Sequence, residues 1–571
     1  TTEENMIEDV ENGAVKLYYD NSNKLETTTT GIDVTGTTDT DNLTIAGAQG
    51  SDGQVLTSTG SGVAWEDAGG GGATSLNGLT DCLIDGTSSY LVNIPSGLSG
   101  NPTDNTVFGS GAGNALTGGD RNTFIGHDAG AGVTGDDDNV AIGYQCFSVN
   151  NVFRGVAIGY NAGQNNNGNY NIFIGDSTGF NTSSSNNVSI GSSAGRSSTV
   201  SDHTSIGHSA GFSNTSGDGN TNLGYQAGYT NATNSNRTSI GKEAAYYSTG
   251  GQNVAVGYRA LYGAAAGSTG GNNVAVGKEA LENLTTGFKT VAIGVGAGND
   301  VTEGEANTCV GAFAGDKITD GDNNVVIGSD GAGALTTGSN NIVVGTAMIA
   351  NVDGSDNVVI GNGAMDAATS DDRCVAIGKN ALAAQNQTFA PQNVAVGYGA
   401  DDGNTTGYYR TNIGAGTGNA SATGDNVTNI GYGAGASSAS ADNEVTLGDS
   451  SVTAIRGAVT TITAISDERD KTSIEDLPYG LDFVDSLKPR KFVWDHRAET
   501  NKDGEEFYSS RKGSKDIGFI AQELQEVDDE WTSLVYASNP DKLEASYGRL
   551  IPVLVKAIQE LKAEVEALKA S

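Results

Sequence analysis

A glycine-centred repeat governs most of this 571-residue chain. The spacing between its anchoring glycines is nearly always 16 or 17 residues. Such a fixed period predicts a solenoid, in which each unit forms one turn and contacts only its neighbours. There are 21 units, with anchoring glycines at positions 109, 126, 143, 159, 175, 191, 207, 224, 241, 257, 277, 294, 311, 328, 345, 361, 378, 397, 414, 431 and 448.

Two apolar positions precede each anchoring glycine. The residue directly before it is Ile, Val, Leu or Phe in all 21 units, and the residue three before it is Val, Ile or Thr in all 21. Positions two apart share one face of a strand, so we expect this pair to point inward. The glycine itself lets the chain turn where a Cβ would clash.

Small and amide residues complete the unit. Alanine stands three residues after the glycine in 15 of 21 units, as at Ala162, where we expect it to face inward and let the opposite wall approach. Asparagine opens 13 units, as at Asn139 and Asn324. Its amide is expected to bond its own turn or to stack as a ladder along the solenoid.

The unit Asn-x-x-Ile-Gly-x-x-Ala, as at Asn122 to Ala129, resembles the repeat of the left-handed parallel β-roll in the heads of YadA-like trimeric adhesins. The resemblance covers about residues 105–448, with a longer period here than in those adhesins. It implies a β-roll domain, which we assign to residues 105–457. With strands about 4.8 Å apart, its 20 steps would stack to roughly 95 Å, a length suited to a spacer or display rod.

In residues 1–72, short apolar runs separated by turn residues predict a fibre shaft of short strands. This shaft is expected to end in a flexible glycine linker at 69–72. Segments 13–28 and 53–65 resemble units that are frequent in phage tail-fibre shafts. Because each apolar run is too short to bury itself, partner chains are expected. Residues 73–104 form a transition segment. Strands are predicted at 15–19, 24–27, 31–34, 42–45 and 90–94.

Two features of the repeat leave two interpretations open. The 20-residue step from Gly257 to Gly277 and the 19-residue step from Gly378 to Gly397 carry insertions, which are contact loops or neutral surface variation. Tyrosine follows the glycine in six units. Exposed tyrosines can stack on sugars, but we favour stacking between neighbouring turns.

Composition limits the partners. The formal net charge of −38 predicts repulsion from nucleic acid and from anionic membranes, so neither binding to nucleic acid nor insertion into a membrane is expected. The four cysteines are scattered without a zinc or disulfide spacing, and no EF-hand loop is present. We therefore expect no cofactor and no metal site.

The chain changes character at Ser466, after a predicted linker strand at 458–465. Residues 466–571 have the composition of an ordinary globular and helical domain. Their motifs occur in the order found in the C-terminal intramolecular chaperones of endosialidases and other phage fibres, peptidase family S74, which this segment resembles. The matching segments are 466–471, 487–494, 517–524 and 547–554.

The resemblance implies a single self-cleavage between Ile465 and Ser466 after assembly, with Ser466 as nucleophile and Lys471 as base. A serine hydroxyl needs a nearby base, and a lysine can serve when burial lowers its pKa. Asp467 and Arg469 match the motif and are expected to orient the turn. Taken alone, a Ser-Asp-Glu-Arg-Asp-Lys stretch is more often a solvated turn.

A heptad pattern closes the chain. From Tyr547, apolar residues recur at alternating spacings of four and three, with charged residues between them, which predicts a coiled coil over 547–571. The alternative is an amphipathic helix that packs only on its own domain. The predicted seam contains Ile551, Leu554, Ile558, Leu561, Val565 and Leu568.

Together these patterns predict a mostly β, elongated homotrimeric fibre with a parallel β-solenoid and an α+β chaperone domain. We expect a bacteriophage tail fibre in the virion, assembled in the host cytoplasm. It would bind other tail or baseplate proteins at its N-terminal end and a host surface glycan or protein receptor. A glycan-degrading tailspike, which needs paired carboxylates in a groove, and a bacterial trimeric adhesin are the alternatives.

Overall fold

The computed structural model of the protein contains two compact units, Thr1–Ile94 and Pro95–Ser571. In the first unit the described residues are 7–9, 15–19, 22–28, 31–35, 44–45, 48–49, 54–58, 63–67, 82–85 and 88–91. In the second they are 103–457 without 150–151, 266, 387–389 and 419–421, and 466–571 without 501–505, 508–510, 538, 540 and 542.

Antiparallel hairpins make up the described part of the first unit. One sheet has four strands, Ile7–Asp9, Val15–Tyr19, Ser22–Thr28 and Gly31–Val34. Three two-stranded ladders pair Thr44–Ile45 with Ala48–Gln49, Gln54–Ser58 with Val63–Asp67, and Cys82–Asp85 with Ser88–Leu91. The predicted strand at 90–94 overlaps the strand Ser88–Leu91 at residues 90 and 91, and residues 92–94 lie outside the described residues. The predicted glycine linker at 69–72 lies outside the described residues.

A parallel β-solenoid with one short strand per repeat fills most of the second unit, which confirms the predicted fold. Each strand pairs in register with the next, for example Val140 with Val156 and Ile142 with Ile158. The strands are Thr106–Phe108, Thr123–Ile125, Val140–Ile142, Val156–Ile158, Ile172–Ile174, Val188–Ile190, Thr204–Ile206, Thr221–Leu223, Thr238–Ile240, Val254–Val256, Val274–Val276, Val291–Ile293, Thr308–Val310, Val325–Ile327, Ile342–Val344, Val358–Ile360, Val375–Ile377, Val394–Val396, Thr411–Ile413, Thr428–Ile430 and Val445–Leu447.

The predicted inward face of these strands was wrong. In each strand from Thr106–Phe108 to Thr428–Ile430, the middle residue is buried, while the two flanking apolar residues are half-buried or exposed. In Val254–Val256 the residue that enters the coil is Ala255. The buried middle residue is often small, as at Ala141 and Ala275, but Phe124 and Phe173 also enter the coil, while the residues that flank them lie on the outer face.

The amide and glycine ladders form as predicted. The Asn122 N–H donates to Asn105 Oδ1 over 2.8 Å, and its side-chain amide donates to the Asp136 carbonyl over 3.0 Å. Each anchoring glycine has a positive φ, and those from Gly109 to Gly431 lie against the anchoring glycine of the next turn. At Gly277, φ is +133° and a Cβ would lie 2.2 Å from the Gly294 carbonyl oxygen. Only glycine fits both demands.

The filling of the coil interior changes along its length. Turns from about residue 255 to 382 are packed with apolar side chains, mostly alanine with some Leu, Ile, Val and Met. Two stretches have polar interiors instead. The first includes Thr182, Ser189, Ser198, His203, Ser205, Asn214, Asn222, Asn231, Arg237, Ser239 and Ser248, and the second Gln385, Asp401, Asn404, Arg410, Asn412, Thr417 and Asn429.

The segment after Ser466 is a small α+β domain. Its helices are Leu481–Ser486, Ala521–Gln525 and Leu550–Ala570, with 3₁₀ turns at Glu468–Asp470 and Tyr547–Arg549. Its antiparallel ladders pair Arg490–Val493 with Lys515–Gly518, Glu499–Thr500 with Glu506–Phe507, and Val535–Tyr536 with Glu544–Ala545. No described helix is long and apolar enough to cross a membrane. The predicted linker strand at 458–465, with Ile465, lies outside the described residues.

The core of this domain is small. Leu524, Leu534 and Leu550 are buried together, and Phe483 and Phe519 pack against them. The long helix Leu550–Ala570 contributes only its first turns to this core, through Leu550, Val553 and Ala557. Its remaining apolar side chains are therefore available for other contacts.

Candidate functional site

The predicted cleavage site begins with a capped turn. The Asp467 carboxylate accepts a hydrogen bond from the Arg469 backbone N–H over 2.9 Å and so caps the 3₁₀ turn Glu468–Asp470. The Arg469 guanidinium forms two further hydrogen bonds to the same carboxylate, over 3.0 and 2.6 Å. Its hydrogen bond is the main reason that the pKa of Asp467 lies below its usual value. Asp467 and Arg469 thus bond to each other within this turn.

This turn brings Ser466 and Lys471 together. Lys471 Nζ donates a hydrogen bond to Ser466 Oγ over 2.6 Å, within the range required of a nucleophile and its base. Both side chains are exposed in the single chain. A lysine accepts a proton only in its neutral form, which burial favours. The distance between Ser466 and Lys471 therefore fits a Ser–Lys pair. The single chain does not bury the lysine, so another chain would have to do so before the pair could react.

Ion pairs and hydrogen bonds connect the elements of the domain that follow this turn in the sequence. Arg490 makes two hydrogen bonds to the Glu523 carboxylate, over 2.9 and 2.6 Å, and so ties the first strand of the domain to the helix Ala521–Gln525. Asp516 accepts hydrogen bonds from Trp494 Nε1 over 3.2 Å and from Arg511 over 2.9 Å. The Arg511 guanidinium lies 4.4 Å from the centre of the Trp494 ring. These contacts give structural roles to Arg490 and Trp494 in the matching segment 487–494 and to Glu523 in the segment 517–524.

The predicted heptad seam lies on the open side of the C-terminal helix. Each of its six side chains is at least 40% exposed, from Val565 at 40% to Leu568 at 75%. The residues that pack on the helix's own domain, Leu550, Val553 and Ala557, belong to a different face. The helix therefore packs on its own domain and also leaves the seam free in the single chain.

Two contacts across long sequence separations were not predicted. The Glu560 carboxylate of the long helix accepts a hydrogen bond from the Leu481 N–H over 2.7 Å, at the start of another helix. The Tyr536 hydroxyl donates to the Glu444 carboxylate in the last turn of the solenoid. Neither pair shares a local motif, because 79 and 92 residues separate the partners.

A largely apolar surface, here called the outer stripe, runs along the solenoid. It consists of the side chains one and three residues before each anchoring glycine, which the parallel register stacks into two rows, the second of which alternates between Val, Ile and Thr. Several apolar members are between 40 and 43% exposed, including Leu223, Ile293, Ile327, Ile413 and Ile430. Large contiguous apolar surfaces of this kind mark interaction sites in soluble proteins.

The exposed tyrosines form ladders. The rings of His127, Tyr144 and Tyr160 stack at centroid distances of 5.2 and 5.1 Å, and His208 stacks on Tyr225 at 5.3 Å. The expected stacking between turns is confirmed for these tyrosines. A ring inside such a ladder has its faces covered by neighbouring rings, so it exposes its edge rather than a platform for a sugar.

Other reactive groups are buried or dispersed. Burial raises the pKa of the Cys146 thiol to about 11 and those of Cys309 and Cys374 to about 12, so these thiols are poor nucleophiles at neutral pH. Within the described residues, no group of three or more His, Cys, Asp or Glu side chains is placed to hold a metal ion.

A family model matches the C-terminal part of the chain. Residues 466–533 match the family model Peptidase_S74, described as the chaperone of endosialidase. Comparison with curated proteins and with solved structures finds no match. The match begins at Ser466, the residue where the sequence changes character. The C-terminal part of this chain thus carries a chaperone-of-endosialidase domain behind a long parallel β-solenoid, a combination that fits a phage tail fibre or tailspike-type protein.

Proposed function

We propose that this protein is a homotrimeric tail fibre of a bacteriophage, which displays a host-recognition surface on a β-solenoid rod. Its C-terminal domain aligns three copies and then releases itself by cleavage between Ile465 and Ser466. The observation that carries the proposal is the family match at residues 466–533 on a chain with two apolar surfaces that lack a partner within the described residues.

The helix seam supports assembly from identical copies. A sustained heptad seam is buried when it meets another copy of itself in register. Ile551, Ile558 and Val565 occupy one core position, and leucines occupy the other. In isolated parallel coils this choice favours two strands, so the helix alone does not set the number at three. The proposed number follows from the resemblance of both regions to trimeric proteins.

The outer stripe also favours another copy of this chain as the partner. The same spacing and the same types of side chain repeat through 21 turns. A partner protein that covers the whole stripe therefore needs the same period and the same length. Another copy of this chain, aligned in parallel, meets that requirement. Burial of apolar surface contributes about 25 cal/mol per Å², so such an interface stabilises the assembly strongly.

Assembly also supplies a reason for timed cleavage. Ser466 and Lys471 are already within hydrogen-bonding distance, but they are exposed. If neighbouring copies bury the pair, desolvation favours a neutral lysine amine, which can then take the proton of the attacking hydroxyl. Cleavage then follows correct assembly rather than preceding it.

Host recognition rests on the fit to tail-fibre and tailspike proteins. The acidic surface keeps a long rod soluble and repels anionic membranes, which leaves specific receptor contacts to decide binding. We propose attachment to other tail or baseplate proteins through the N-terminal region, assembly in the host cytoplasm, and a surface glycan or protein as receptor.

Intact mass and denaturing gel analysis of the expressed chain test this function. We expect wild type to give fragments 1–465 and 466–571, and Ser466→Ala and Lys471→Met to give only the full chain. Thr472→Ala, a neighbouring exposed hydroxyl, serves as control and should be cut like wild type. An uncut wild type would refute self-cleavage. Hydrolysis of a capsular polysaccharide would favour a tailspike instead, and location in a bacterial outer membrane would favour an adhesin.

A further inference from the structure

Five consecutive turns of the solenoid carry alternating rings and lysines on their outer surface. These side chains occupy the position directly after the anchoring glycine, just beyond the end of each strand. All five are exposed. This set of residues, here called the basic row, consists of His208, Tyr225, Lys242, Tyr258 and Lys278.

Contacts between turns keep the basic row in order. The His208 ring stacks on Tyr225 at a centroid distance of 5.3 Å. Lys242 Nζ lies 5.8 Å from the centre of the Tyr225 ring and 5.6 Å from that of Tyr258, and both rings attract its charge. Because neighbouring strands are about 4.8 Å apart, Lys242 and Lys278 are attached about 10 Å apart along the solenoid.

A second aromatic ladder lies beside the basic row. Its neighbouring rings are 5.2, 5.0 and 5.4 Å apart, centre to centre. Arg259 joins the ladder to the row, since its guanidinium carbon lies 5.5 Å from the centre of the Tyr258 ring and 4.7 Å from that of Tyr262. Stacked tyrosines expose their edges, which carry the hydroxyls. The ladder consists of Phe212, Tyr229, Tyr246 and Tyr262.

The carboxylates near the two lysines leave the ammonium groups accessible. Lys242 Nζ lies 3.6 Å from the Glu243 carboxylate, whose shorter contact is with Arg259 Nε over 2.8 Å. Lys278 Nζ lies 3.3 Å from the Glu279 carboxylate. Both lysine side chains are 56% exposed, and ion pairs at such exposure contribute little to stability. A ligand can therefore replace these contacts at low cost.

The charge of this part of the solenoid differs from that of the turns that follow. Residues 191–294 contain six Lys or Arg residues and five Asp or Glu residues, whereas residues 295–448 contain four and 17. Physiological salt screens exposed charges over about 8 Å, so a ligand at the basic row is affected mainly by the groups beside it. An anionic polymer is thus repelled by the acidic turns but not by the turns that carry the row.

We propose that the basic row binds an acidic glycan that lies along the solenoid, with its carboxylates on Lys242 and Lys278 and its hydroxyls at the tyrosine edges. The inference rests on the proposed function, because it gives the receptor-binding role a place and a ligand class. The distance between the lysines suits a linear glycan in which a charged sugar alternates with a neutral one. Each carboxylate carries one charge and meets one ammonium group.

Binding of hyaluronate, in which a carboxylated sugar alternates with a neutral one, to the full-length protein tests this site. We expect binding that weakens with added salt, and none to neutral dextran. Lys242→Gln combined with Lys278→Gln should lower the affinity for hyaluronate by about tenfold or more, because two charge-assisted contacts are lost. Lys317→Gln combined with Lys379→Gln removes the same charge from exposed positions outside the row and should bind like wild type.

Three outcomes would count against these proposals in different ways. Equal binding by the two double variants would overturn the site, because the lysines of the row would then have no special role. No binding of hyaluronate by an assembled wild-type particle would also overturn it and would favour a protein receptor. The mass of the particle, measured on the same samples, keeps the two proposals separate, since a chain that stays single would refute the proposed fibre whatever it binds.

Discussion

At the scale of single residues, the anchoring glycines show how closely the turns approach. All but the last, Gly448, combine a backbone conformation that other residues avoid with contact to the backbone of the next turn, as at Gly277. The asparagine ladder beside them satisfies backbone N–H groups inside the coil, where water cannot. Both roles follow from the sequence, because glycine and asparagine recur at the positions where the chemistry of a turn needs them.

Replacement of an anchoring glycine tests this close approach. Gly277→Ala should destabilise its turn by about 1–3 kcal/mol from backbone strain, with a further loss from the clash with Gly294. Hydrogen exchange of the neighbouring amides measures the effect locally, since a solenoid this long need not unfold in one step. Gly135→Ala is the control, because a Cβ there meets no atom within 4 Å. Equal protection in both variants would contradict the account.

His203 makes the coil sensitive to acid. It is buried beside Ser198, and burial lowers its pKa below 6.5, although Asp218 and Asp202 act in the opposite direction. The unfolded chain therefore binds a proton more readily, so stability is present above about pH 6.5 and is lost as the pH falls. Thermal midpoints between pH 7.5 and 5 should fall more steeply for wild type than for His203→Asn. Parallel curves for the two proteins would refute a role for His203.

At the scale of elements, the sequence predicted the strands correctly but not their inner face. In a three-residue strand, alternation allows either the middle residue or its two neighbours to face inward. The rule that larger apolar residues are buried favoured the neighbours. The coil buries the middle residue instead, whether it is an alanine, as at Ala255, or a phenylalanine, as at Phe124 and Phe173, so size alone does not identify the inner face.

The C-terminal domain shows the other limit of sequence reasoning. The turn at Ser466 is local, but its residues were singled out by their resemblance to the S74 motif, because the stretch taken alone is more often a solvated turn. The hydrogen bond from Leu481 to Glu560 joins elements 79 residues apart, and no pattern in either segment predicts it. The buried Arg237 and Arg410 were equally hidden, since each stands where most repeats have an asparagine.

The helix seam makes a prediction at this scale. Leu561→Glu should remove about 2–3 kcal/mol of apolar burial per copy and place like charges together, which lowers association at least on the order of a hundredfold. Sedimentation velocity of the full chain measures it. Ala563→Glu adds the same charge on the outward side of the helix and should assemble like wild type. Unchanged assembly of Leu561→Glu would remove the seam from the account.

At the scale of the whole molecule, the outer stripe and the helix seam serve one purpose. In the proposed assembly, the seam would gather the C-terminal ends of the copies at low cost in loop entropy, and the stripe would then lie along matching stripes of its neighbours. Because every copy has the same spacing between its turns, the turns of neighbouring copies would stay in register along the whole stripe. The segments of the solenoid differ in their interior, which is polar in the two stretches described above and mostly apolar between them.

The mass of the assembled particle tests this central claim most directly. Sedimentation equilibrium of Ser466→Ala, which keeps the chain whole, avoids any change of mass through cleavage. One chain has a mass of 57.9 kDa, and the account predicts a stable particle of three times that mass at micromolar concentration. A particle of twice that mass would contradict the threefold assembly, and a stable single chain would contradict the assembly role of both apolar surfaces.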